Sequence, residues 1–253
     1  MTLRKDVTQD DYLGGKVRIT QPKTGYRAGV DPVLLAASVP AKPGQSVLEL
    51  GCGVGVASLC LSARVTGLSL TGLELQADYA ALAQSNVVAN GADMAVVTGD
   101  LADMPPDLRQ QSFDHVIANP PYFLRTASVG ATDQGREIAM GEDTPLDAWV
   151  KAAAKRLAPK GTASFIHRAE RLDDMLRALA PRLGSVQVLP LVPRAGRDTR
   201  LILIRAKKGG RAPLRLHDSV VMHGQDRHTH DEKDYSATLT DVLRNGGPLP
   251  FPE

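Results

Sequence analysis

Residues 46–55 read Ser-Val-Leu-Glu-Leu-Gly-Cys-Gly-Val-Gly. The first five residues form a short, mostly apolar run that predicts a buried strand of a parallel sheet. The glycines that follow predict a tight turn, and residues 56–64 predict a helix behind it. Open α/β sheets bind ligands at the carboxyl ends of their strands, where a glycine turn lets the backbone come close to the ligand. The stretch therefore predicts an α/β fold with a ligand site at Gly51, Cys52 and Gly53.

Two further strand ends continue this predicted site. Residues 68–73 predict a second strand that ends at Glu74, roughly 20 residues beyond the glycine turn, where a carboxylate can accept both hydroxyls of a ribose. Residues 94–98 predict a third strand, followed by Asp100, which is placed to accept a hydrogen bond from an adenine amino group. The predicted nucleoside contacts are Glu74, Leu75, Asp100 and Leu101.

The spacing of the glycines in the turn distinguishes between the possible nucleotide cofactors. It reads Gly-x-Gly-x-Gly, which differs from the dinucleotide-binding Gly-x-Gly-x-x-Gly and from a phosphate-binding Walker loop. Glu49 lies on the strand just before the turn, where its carboxylate would repel a pyrophosphate but suit a cationic ligand that carries an amino acid. S-adenosylmethionine meets these requirements and NAD meets them poorly, so we expect S-adenosylmethionine as the cofactor.

A catalytic loop is predicted at Asn119-Pro120-Pro121-Tyr122, directly after the apolar strand of residues 113–118. A planar amine is a poor nucleophile because its lone pair is delocalised into the ring. If the Asn119 side-chain oxygen and the Pro120 carbonyl each accept one N–H, the lone pair is aimed at the electrophile. Tyr122 adds an aromatic face on which a base can stack, worth roughly 1–3 kcal/mol. Taken alone, the motif is equally a turn at a strand end.

Length and composition fit one large α/β domain. The chain has 253 residues, 43% of them hydrophobic, and a formal net charge of +2. Its two cysteines cannot build a disulfide framework and fit a reducing compartment, and its first residues lack the apolar segment of a signal peptide. We expect a cytoplasmic protein without membrane segments. The histidines near the C-terminus match no zinc spacing, so no metal is expected.

A basic segment lies near the end of the chain. Residues 194–215 contain eight basic residues and one acid, Asp198. An excess of this size fits contact with a phosphate backbone, and a solvated surface loop is the alternative. The predicted RNA contacts in this segment are Arg194, Arg197, Lys207 and Lys208.

The remaining segments complete one sheet with its helices. Asp31 is predicted to cap a short helix, and Trp149 is expected in the core rather than as a platform for a base. The long loop at residues 124–143 predicts a substrate lid. A hairpin is predicted at residues 8–20, helices at 33–38, 76–90, 145–157 and 172–179, and the last strands at 161–167, 186–189 and 201–204.

The motifs resemble those of a known group of enzymes. Residues 47–55 are similar to motif I of class I S-adenosylmethionine-dependent methyltransferases, and residues 119–122 are similar to motif IV of those that methylate planar nitrogens. The resemblance is closer still to the bacterial tRNA(Val) adenine-N6 methyltransferases, which act beside the anticodon, and it extends to about Arg211. It rests on residues 21–27, 119–123 and 167–172.

This resemblance implies a Rossmann-like, seven-stranded sheet with an antiparallel last strand. It also implies S-adenosylmethionine as the cofactor and adenine N6 of tRNA or another structured RNA as the target. The loop with Tyr26 and Arg27 would lie near the cofactor and the target base, and Phe123 would contact the substrate. Family members carry an Ala-Arg pair farther on, where this chain has Met140. The missing basic contact could come from Arg125 or Arg136.

Two rival functions stay open. The same loop geometry serves the side-chain amide of glutamine, so a protein glutamine N5-methyltransferase is the enzymatic alternative. A noncatalytic RNA-binding module that kept the fold is the other. For the organisation of the chain, we expect a hairpin and helix addition at residues 1–40, a methyltransferase domain at 41–210 and a C-terminal extension at 211–253.

Overall fold

The computed structural model describes residues 6–124, 141–142, 144–224 and 234–252. Within these residues the strands are β1 (Val7–Tyr12), β2 (Val17–Pro22), β3 (Ser46–Leu50), β4 (Ser69–Glu74), β5 (Met94–Thr98), β6 (Phe113–Ala118), β7 (Phe123–Leu124), β8 (Gly141–Glu142), β9 (Leu157–Arg168), β10 (Gly184–Val192), β11 (Leu201–Lys207), β12 (Arg215–Leu216) and β13 (Val220–Val221). The helices are α1 (Asp31–Ser38), α2 (Val56–Arg64), α3 (Ala77–Asn90), α4 (Pro106–Arg109), α5 (Leu146–Arg156), α6 (Leu172–Leu179) and α7 (Ala237–Thr240).

One mostly parallel sheet forms the centre of the molecule. Its strands follow the order β12-β10-β11-β9-β6-β3-β4-β5, and β13 also pairs with β10. β11 runs antiparallel to β9 and β10, while the strands from β9 to β5 are mutually parallel. The predicted seven-stranded sheet with a reversed last strand is therefore confirmed between β10 and β5. The two-residue strands β12 and β13 were not predicted, because so short a segment shows no periodicity.

The predicted hairpin is also confirmed and lies against the third helix. β1 and β2 pair antiparallel through a 3-10 turn at Leu13–Gly15. The side-chain amide of Asn86 on α3 accepts a hydrogen bond from the backbone N–H of Thr20 (2.8 Å) and donates to the Thr20 carbonyl (3.0 Å). The same amide donates to the carbonyl of Val54 in the glycine turn (3.0 Å). One buried asparagine thus ties the hairpin to the predicted ligand site.

The strands alternate their side chains between two apolar clusters, one on each face of the sheet. On β3, Val47 belongs to the first cluster and Leu48 to the second. The first cluster also takes in the hairpin, α1 and C-terminal residues such as Phe251. Because the N- and C-terminal additions share this core with the sheet, they pack as part of one body; the boundaries expected at residues 40 and 210 stay a prediction. No described helix is both long and apolar enough to span a membrane.

Some predicted element ends were wrong. α1 begins with Asp31 in its first turn, its N-cap residue is Val30, and the helix has no side-chain cap. β9 starts at Leu157 rather than at residue 161, because Leu157 already pairs with Phe113 on β6. A register shift separates this pair from the next one, Thr162 with His115. The short helix α4 was not predicted, since four residues that begin with a proline give no helical period.

Trp149 lies in the core, as predicted, and packs directly under the glycine turn. Its side chain is buried, and its indole N–H donates to the carbonyl of Thr144 (3.2 Å). A Cβ atom added at Gly51 would lie 2.6 Å from the indole ring, and Gly51 has a φ of +63°. Both the backbone conformation and the space therefore require glycine at this position.

Gly51→Ala and Gly91→Ala separate these two requirements. Gly91 has nearly the same φ, +60°, but a Cβ there would meet nothing within 4 Å. The two variants share the strain of a left-handed alanine, and only Gly51→Ala adds a clash with Trp149. We expect Gly51→Ala to lose roughly 1–3 kcal/mol more free energy of unfolding than Gly91→Ala, measured by urea denaturation. Equal losses would show that the indole moves aside freely.

Candidate active site

The carboxyl ends of four neighbouring strands bring the predicted site residues to one edge of the sheet. β6, β3, β4 and β5 are adjacent and parallel, with Leu50 level with Ala118 on one side and with Leu73 on the other. Asn119 and the glycine turn follow directly after β6 and β3, Glu74 is the last residue of β4, and Asp100 lies two residues beyond the end of β5. This is the edge at which open parallel sheets bind their ligands.

The glycine turn is fixed to the neighbouring strand by its backbone. The N–H of Cys52 donates to the carbonyl of Leu73 on β4 (3.0 Å), and the N–H of Gly55 donates back to the carbonyl of Cys52 (2.8 Å). Gly55 has a φ of +90° and is the N-cap residue of α2. The Cys52 thiol is buried, and burial raises its pKa well above the ordinary value, which fits a packing role rather than that of a nucleophile.

Glu49 is buried beneath the turn. One carboxylate oxygen accepts hydrogen bonds from both the backbone N–H (3.0 Å) and the hydroxyl (2.5 Å) of Ser58 in the first turn of α2. Burial raises the pKa of Glu49 to about 7, the bonds from Ser58 oppose this rise, and the nearby charge of Glu74 adds to it. A cationic group close to the turn would favour the ionised form of this carboxyl.

Glu74 has both oxygens engaged with the backbone of the site. One accepts from the N–H of Gly53 (2.8 Å) and the other from the N–H of Gln76 (2.9 Å), and burial raises the pKa of the carboxyl. A carboxylate offers about four lone-pair positions, so acceptor capacity remains for the hydroxyls of a ribose. Next to it, Leu75 leaves 54% of its surface exposed, an apolar face on which a purine could lie.

Asp100 and Leu101 lie just after β5, the outermost of these four strands. One carboxylate oxygen of Asp100 accepts from the backbone N–H of Ala102 (2.8 Å), which fixes the turn after β5 and leaves the second oxygen for a ligand. Leu101 is half-buried and packs against the second apolar cluster. The residues predicted to contact a nucleoside thus lie at one edge of the sheet, and their contacts with a cofactor stay predictions.

The decisive atom of the site is the side-chain oxygen of Asn119. This oxygen is buried and has no hydrogen-bond partner among the described residues. The amide nitrogen of the same side chain points toward the hydroxyl of Tyr26, at 3.5 Å, so the oxygen is left facing away from that residue. A buried acceptor without a donor costs free energy, and such atoms in folded proteins call for an explanation such as a ligand.

Tyr26 is held in place by a residue that sequence reasoning missed. The hydroxyl of Tyr79 on α3 accepts from the backbone N–H of Tyr26 (2.9 Å) and donates to its carbonyl (3.2 Å). Burial raises the pKa of the Tyr26 phenol, which therefore stays protonated at neutral pH. The ring also lies near Gly53, at 4.0 Å from the position that a Cβ would take there. Tyr26 thus lies between the glycine turn and Asn119. Its contact with a cofactor and a target base, which the family resemblance implies, stays a prediction.

The adjacent Arg27 faces the hairpin. Its guanidinium donates to the hydroxyl of Thr8 (2.7 Å), to the carbonyl of Pro22 (2.8 Å) and to the carboxylate of Asp10 (2.9 Å). These bonds hold the loop that carries Tyr26 against β1 and β2. A direct contact between Arg27 and the cofactor stays a prediction, and in this structure the residue serves the hairpin.

Tyr122, the last residue of the catalytic loop, contacts Asp31 and His167. Its hydroxyl donates to the carboxylate of Asp31 (2.5 Å), and its ring centroid lies 5.2 Å from that of His167, edge to face. Asp31 was read from the sequence only as a helix cap, and no local pattern signals a partner 91 residues away.

The other predicted substrate contacts near this loop are only partly described. Phe123 begins the short strand β7, whose backbone alone is described. Arg125 and Arg136 lie outside the described residues, as does most of the predicted lid.

The basic segment divides between two edges of the sheet. Arg197 is exposed in the connection from β10 to β11, at the same edge as Asn119, because Leu201 pairs with Arg168 at the end of β9. Lys207 pairs with Thr162 near the start of β9, so Lys207 and Lys208 lie at the opposite edge. The four predicted RNA contacts therefore do not share one edge of the sheet, because the antiparallel strand β11 carries the chain from one edge to the other.

Two of the predicted RNA contacts are engaged inside the protein. The Arg194 guanidinium forms an ion pair with Asp234 (2.5 Å), with only 13% and 2% of the two side chains exposed. The ammonium group of Lys208 donates to the carbonyl of Leu157 (2.6 Å). Both residues therefore tie segments of the chain together, and Arg197 is the predicted contact that stays exposed at the edge of the sheet that carries the catalytic loop.

Glu49→Gln tests the buried carboxyl under the turn. With a pKa of about 7 against an ordinary 4.5, Glu49 binds its proton more tightly in the folded protein than in the unfolded chain. The stability from this group is fully present below pH 4.5 and is lost as the pH rises through about 7. Glutamine does not titrate and still accepts from Ser58. Relative to this variant, the wild type should lose up to ~3 kcal/mol of unfolding free energy over that range, measured by urea denaturation. A pH-independent difference would contradict the assignment.

Comparisons with known proteins show the family to which the chain belongs. A profile of the family described as methyltransferase small domain matches residues 28–190. A tRNA1(Val) (adenine(37)-N6)-methyltransferase of Porphyromonas gingivalis is 30% identical over 187 residues, which cover 68% of this chain and 72% of the relative. A protein of the same name from Haemophilus influenzae is 26% identical over 211 residues, which cover 82% and 88%.

Solved structures show the same fold. A predicted O-methyltransferase from Agrobacterium tumefaciens superimposes with a TM-score of 0.72 at 24% identity, over 88% of this chain and 100% of that one. A precorrin-6y C5,15-methyltransferase from Geobacter metallireducens gives a TM-score of 0.55 at 15% identity, over 74% of this chain and 92% of that one. With the family profile spanning more than half of the sequence, the chain belongs to the methyltransferase small domain family.

Proposed function

We propose that this protein transfers a methyl group from S-adenosylmethionine to the N6 amino group of an adenine in tRNA, beside the anticodon. The observation that carries the proposal is the buried, unpaired side-chain oxygen of Asn119 at the end of β6. The substrate class is supported by the relatives from Porphyromonas gingivalis and Haemophilus influenzae, which are named for N6 methylation of adenine(37) in tRNA1(Val).

The residues of the catalytic loop act on the target amine. One N–H of the adenine amino group donates to the Asn119 oxygen and the other donates to the Pro120 carbonyl, so both acceptors are satisfied and the lone pair is directed out of the ring plane. The Tyr122 ring supports the base by stacking. The adenine must leave its base stack to enter this site. No side chain is needed as a general base, because the methylated nitrogen is cationic and loses its proton to water.

The strand-end residues fit S-adenosylmethionine. Glu74 has acceptor capacity left for ribose hydroxyls, the exposed face of Leu75 suits the adenine ring, and Asp100 has an oxygen for the adenine amino group. The glycine turn leaves room for close approach of the methionine part, with Glu49 below it as the nearest buried carboxyl. When bound, this cofactor supplies an electrophilic methyl group on a positively charged sulfur.

The two rival functions have less support. A glutamine methyltransferase would use the same loop, but the related enzymes are named for tRNA adenine, and Arg197 is exposed at the edge that carries the catalytic loop. A noncatalytic RNA-binding module has no use for an unpaired acceptor at Asn119 or for a carboxylate fixed by the glycine turn at Glu74.

Asn119→Ala tests the role of the unpaired oxygen. Removing a positioned hydrogen-bond partner of a reacting group costs about 10²–10³-fold in turnover, so we expect at least about 100-fold slower methylation of tRNA. Binding of S-adenosylmethionine, measured by calorimetry, should change little, because the cofactor contacts lie on other strands. Asn90→Ala, which removes a half-buried asparagine of α3 that bonds the hairpin away from the catalytic loop, is the control and should retain activity. An active Asn119→Ala enzyme would refute the proposed mechanism.

A charge reversal on the basic segment tests where the RNA lies. The pair Arg197→Glu and Arg200→Glu changes two exposed residues at the catalytic edge, whereas Lys207→Glu and Arg211→Glu changes two exposed residues after β11 reaches the opposite edge. Both pairs alter the net charge equally, so general electrostatic repulsion is matched.

We expect the first pair to raise the KM for tRNA about tenfold or more and to lower the salt dependence of binding by a slope of about 2. The second pair should have a small effect, and turnover at saturating tRNA should be unchanged in both. Equal effects of the two pairs would show that the RNA does not dock preferentially at the catalytic edge.

A further inference from the structure

Tyr122 is held at both ends of its side chain. At one end its hydroxyl donates to a carboxylate oxygen of Asp31, and its ring makes a T-shaped contact with His167, with 64° between the ring planes and 5.2 Å between the centroids. A stacking platform needs only an aromatic ring. A hydroxyl that is bonded to a carboxylate adds something else, namely a fixed position and a fixed plane for that ring before any base is present.

Asp31 is an unusual residue for its surroundings. It opens α1, whose other residues, from Pro32 to Ser38, are all buried. Burial raises the pKa of Asp31, while the hydrogen bond from Tyr122 and the positive charge of Arg168 oppose the rise. The carboxyl makes no cap for its own helix. A half-buried carboxyl that bonds to the catalytic loop, and not to its own helix end, loses hydration without capping its helix.

The third member of the group is neutral and fixed as well. One ring nitrogen of His167, Nδ1, accepts from the backbone N–H of Arg168 (2.9 Å), which assigns the ring proton to Nε2. Burial lowers the pKa of His167 to about 4, and the charge of Arg171 adds to this effect. At neutral pH the ring is therefore an uncharged neighbour that limits the rotation of Tyr122 and does not compete for Asp31.

We propose that Asp31 is a positioning residue that acts on the reaction through Tyr122, by fixing the plane of the ring on which the target adenine stacks. This inference rests on the proposed function. Because tRNA docks largely through its phosphates, the base enters the site after the complex has formed. A ring that must first be ordered reduces the fraction of complexes with a seated base, so loss of the Asp31 bond lowers kcat and leaves the KM for tRNA nearly unchanged.

The experiment uses the full-length protein, tRNA and S-adenosylmethionine, with four variants. Tyr122→Phe removes only the hydroxyl, Asp31→Ala removes the acceptor, and the double variant removes both. Asp31→Asn keeps an oxygen that can accept from the tyrosine. Thermal melting and calorimetric binding of S-adenosylmethionine accompany every variant.

We expect kcat to fall about tenfold in Tyr122→Phe and in Asp31→Ala, with no further fall in the double variant, since both changes remove the same bond. Asp31→Asn should recover kcat to within about twofold of wild type. The KM for tRNA and the cofactor affinity should stay within about twofold throughout. This pattern is specific to positioning, because a general loss of packing would lower cofactor affinity and would not be rescued by asparagine.

The outcomes that overturn the inference are distinct from those that overturn the function. Wild-type turnover in Tyr122→Phe, additive losses in the double variant, or failure of Asp31→Asn to recover activity each refute the role of Asp31. If Asp31→Ala does not fold, Tyr122→Phe and Asp31→Asn still decide the question. Absence of tRNA methylation by the wild type would instead refute the proposed function.

Discussion

The site depends on the register of β3 with its two parallel neighbours. Leu50 lies level with Leu73 on β4 and with Ala118 on β6, so the glycine turn, Glu74 and Asn119 leave the sheet at the same height. The bond from Cys52 to the Leu73 carbonyl then holds the turn to β4. A slip of one residue would turn every side chain to the opposite face of the sheet. Such a slip would be costly because both faces of the sheet are packed against apolar clusters. The packing of the core therefore fixes the relative positions of the site residues.

Much of the fold could be predicted because the signals are local. β3 and β6 are mostly apolar runs followed closely by glycines or prolines, and such strands are typical of parallel sheets that are covered on both faces. The glycine turn follows β3, Asn119 follows β6 and Glu74 ends β4, so their common edge could be expected as well. The short strands β12 and β13 exist only because β10 offers an open edge, which no periodicity within two residues can reveal.

The errors in the site have one physical cause, which is pairing between residues that are distant in sequence. Arg194 was expected to face RNA, but Asp234 lies 40 residues away and neutralises it in a buried ion pair. Asp31 was expected to cap its own helix, but its partner is the hydroxyl of Tyr122. Composition shows how many charges a segment carries. The antiparallel course of β11 and contacts between distant residues decide which of these charges face solvent.

The position of Trp149 gives this protein an internal optical reporter. It is the only tryptophan in the chain, and its ring lies against Gly51 at the floor of the predicted cofactor site. Indole emission responds to the polarity and rigidity of its surroundings, so occupation of the glycine turn alters the intrinsic fluorescence without any attached dye. Ligand titrations and stopped-flow kinetics can therefore be followed on the unmodified polypeptide, independently of methyl transfer.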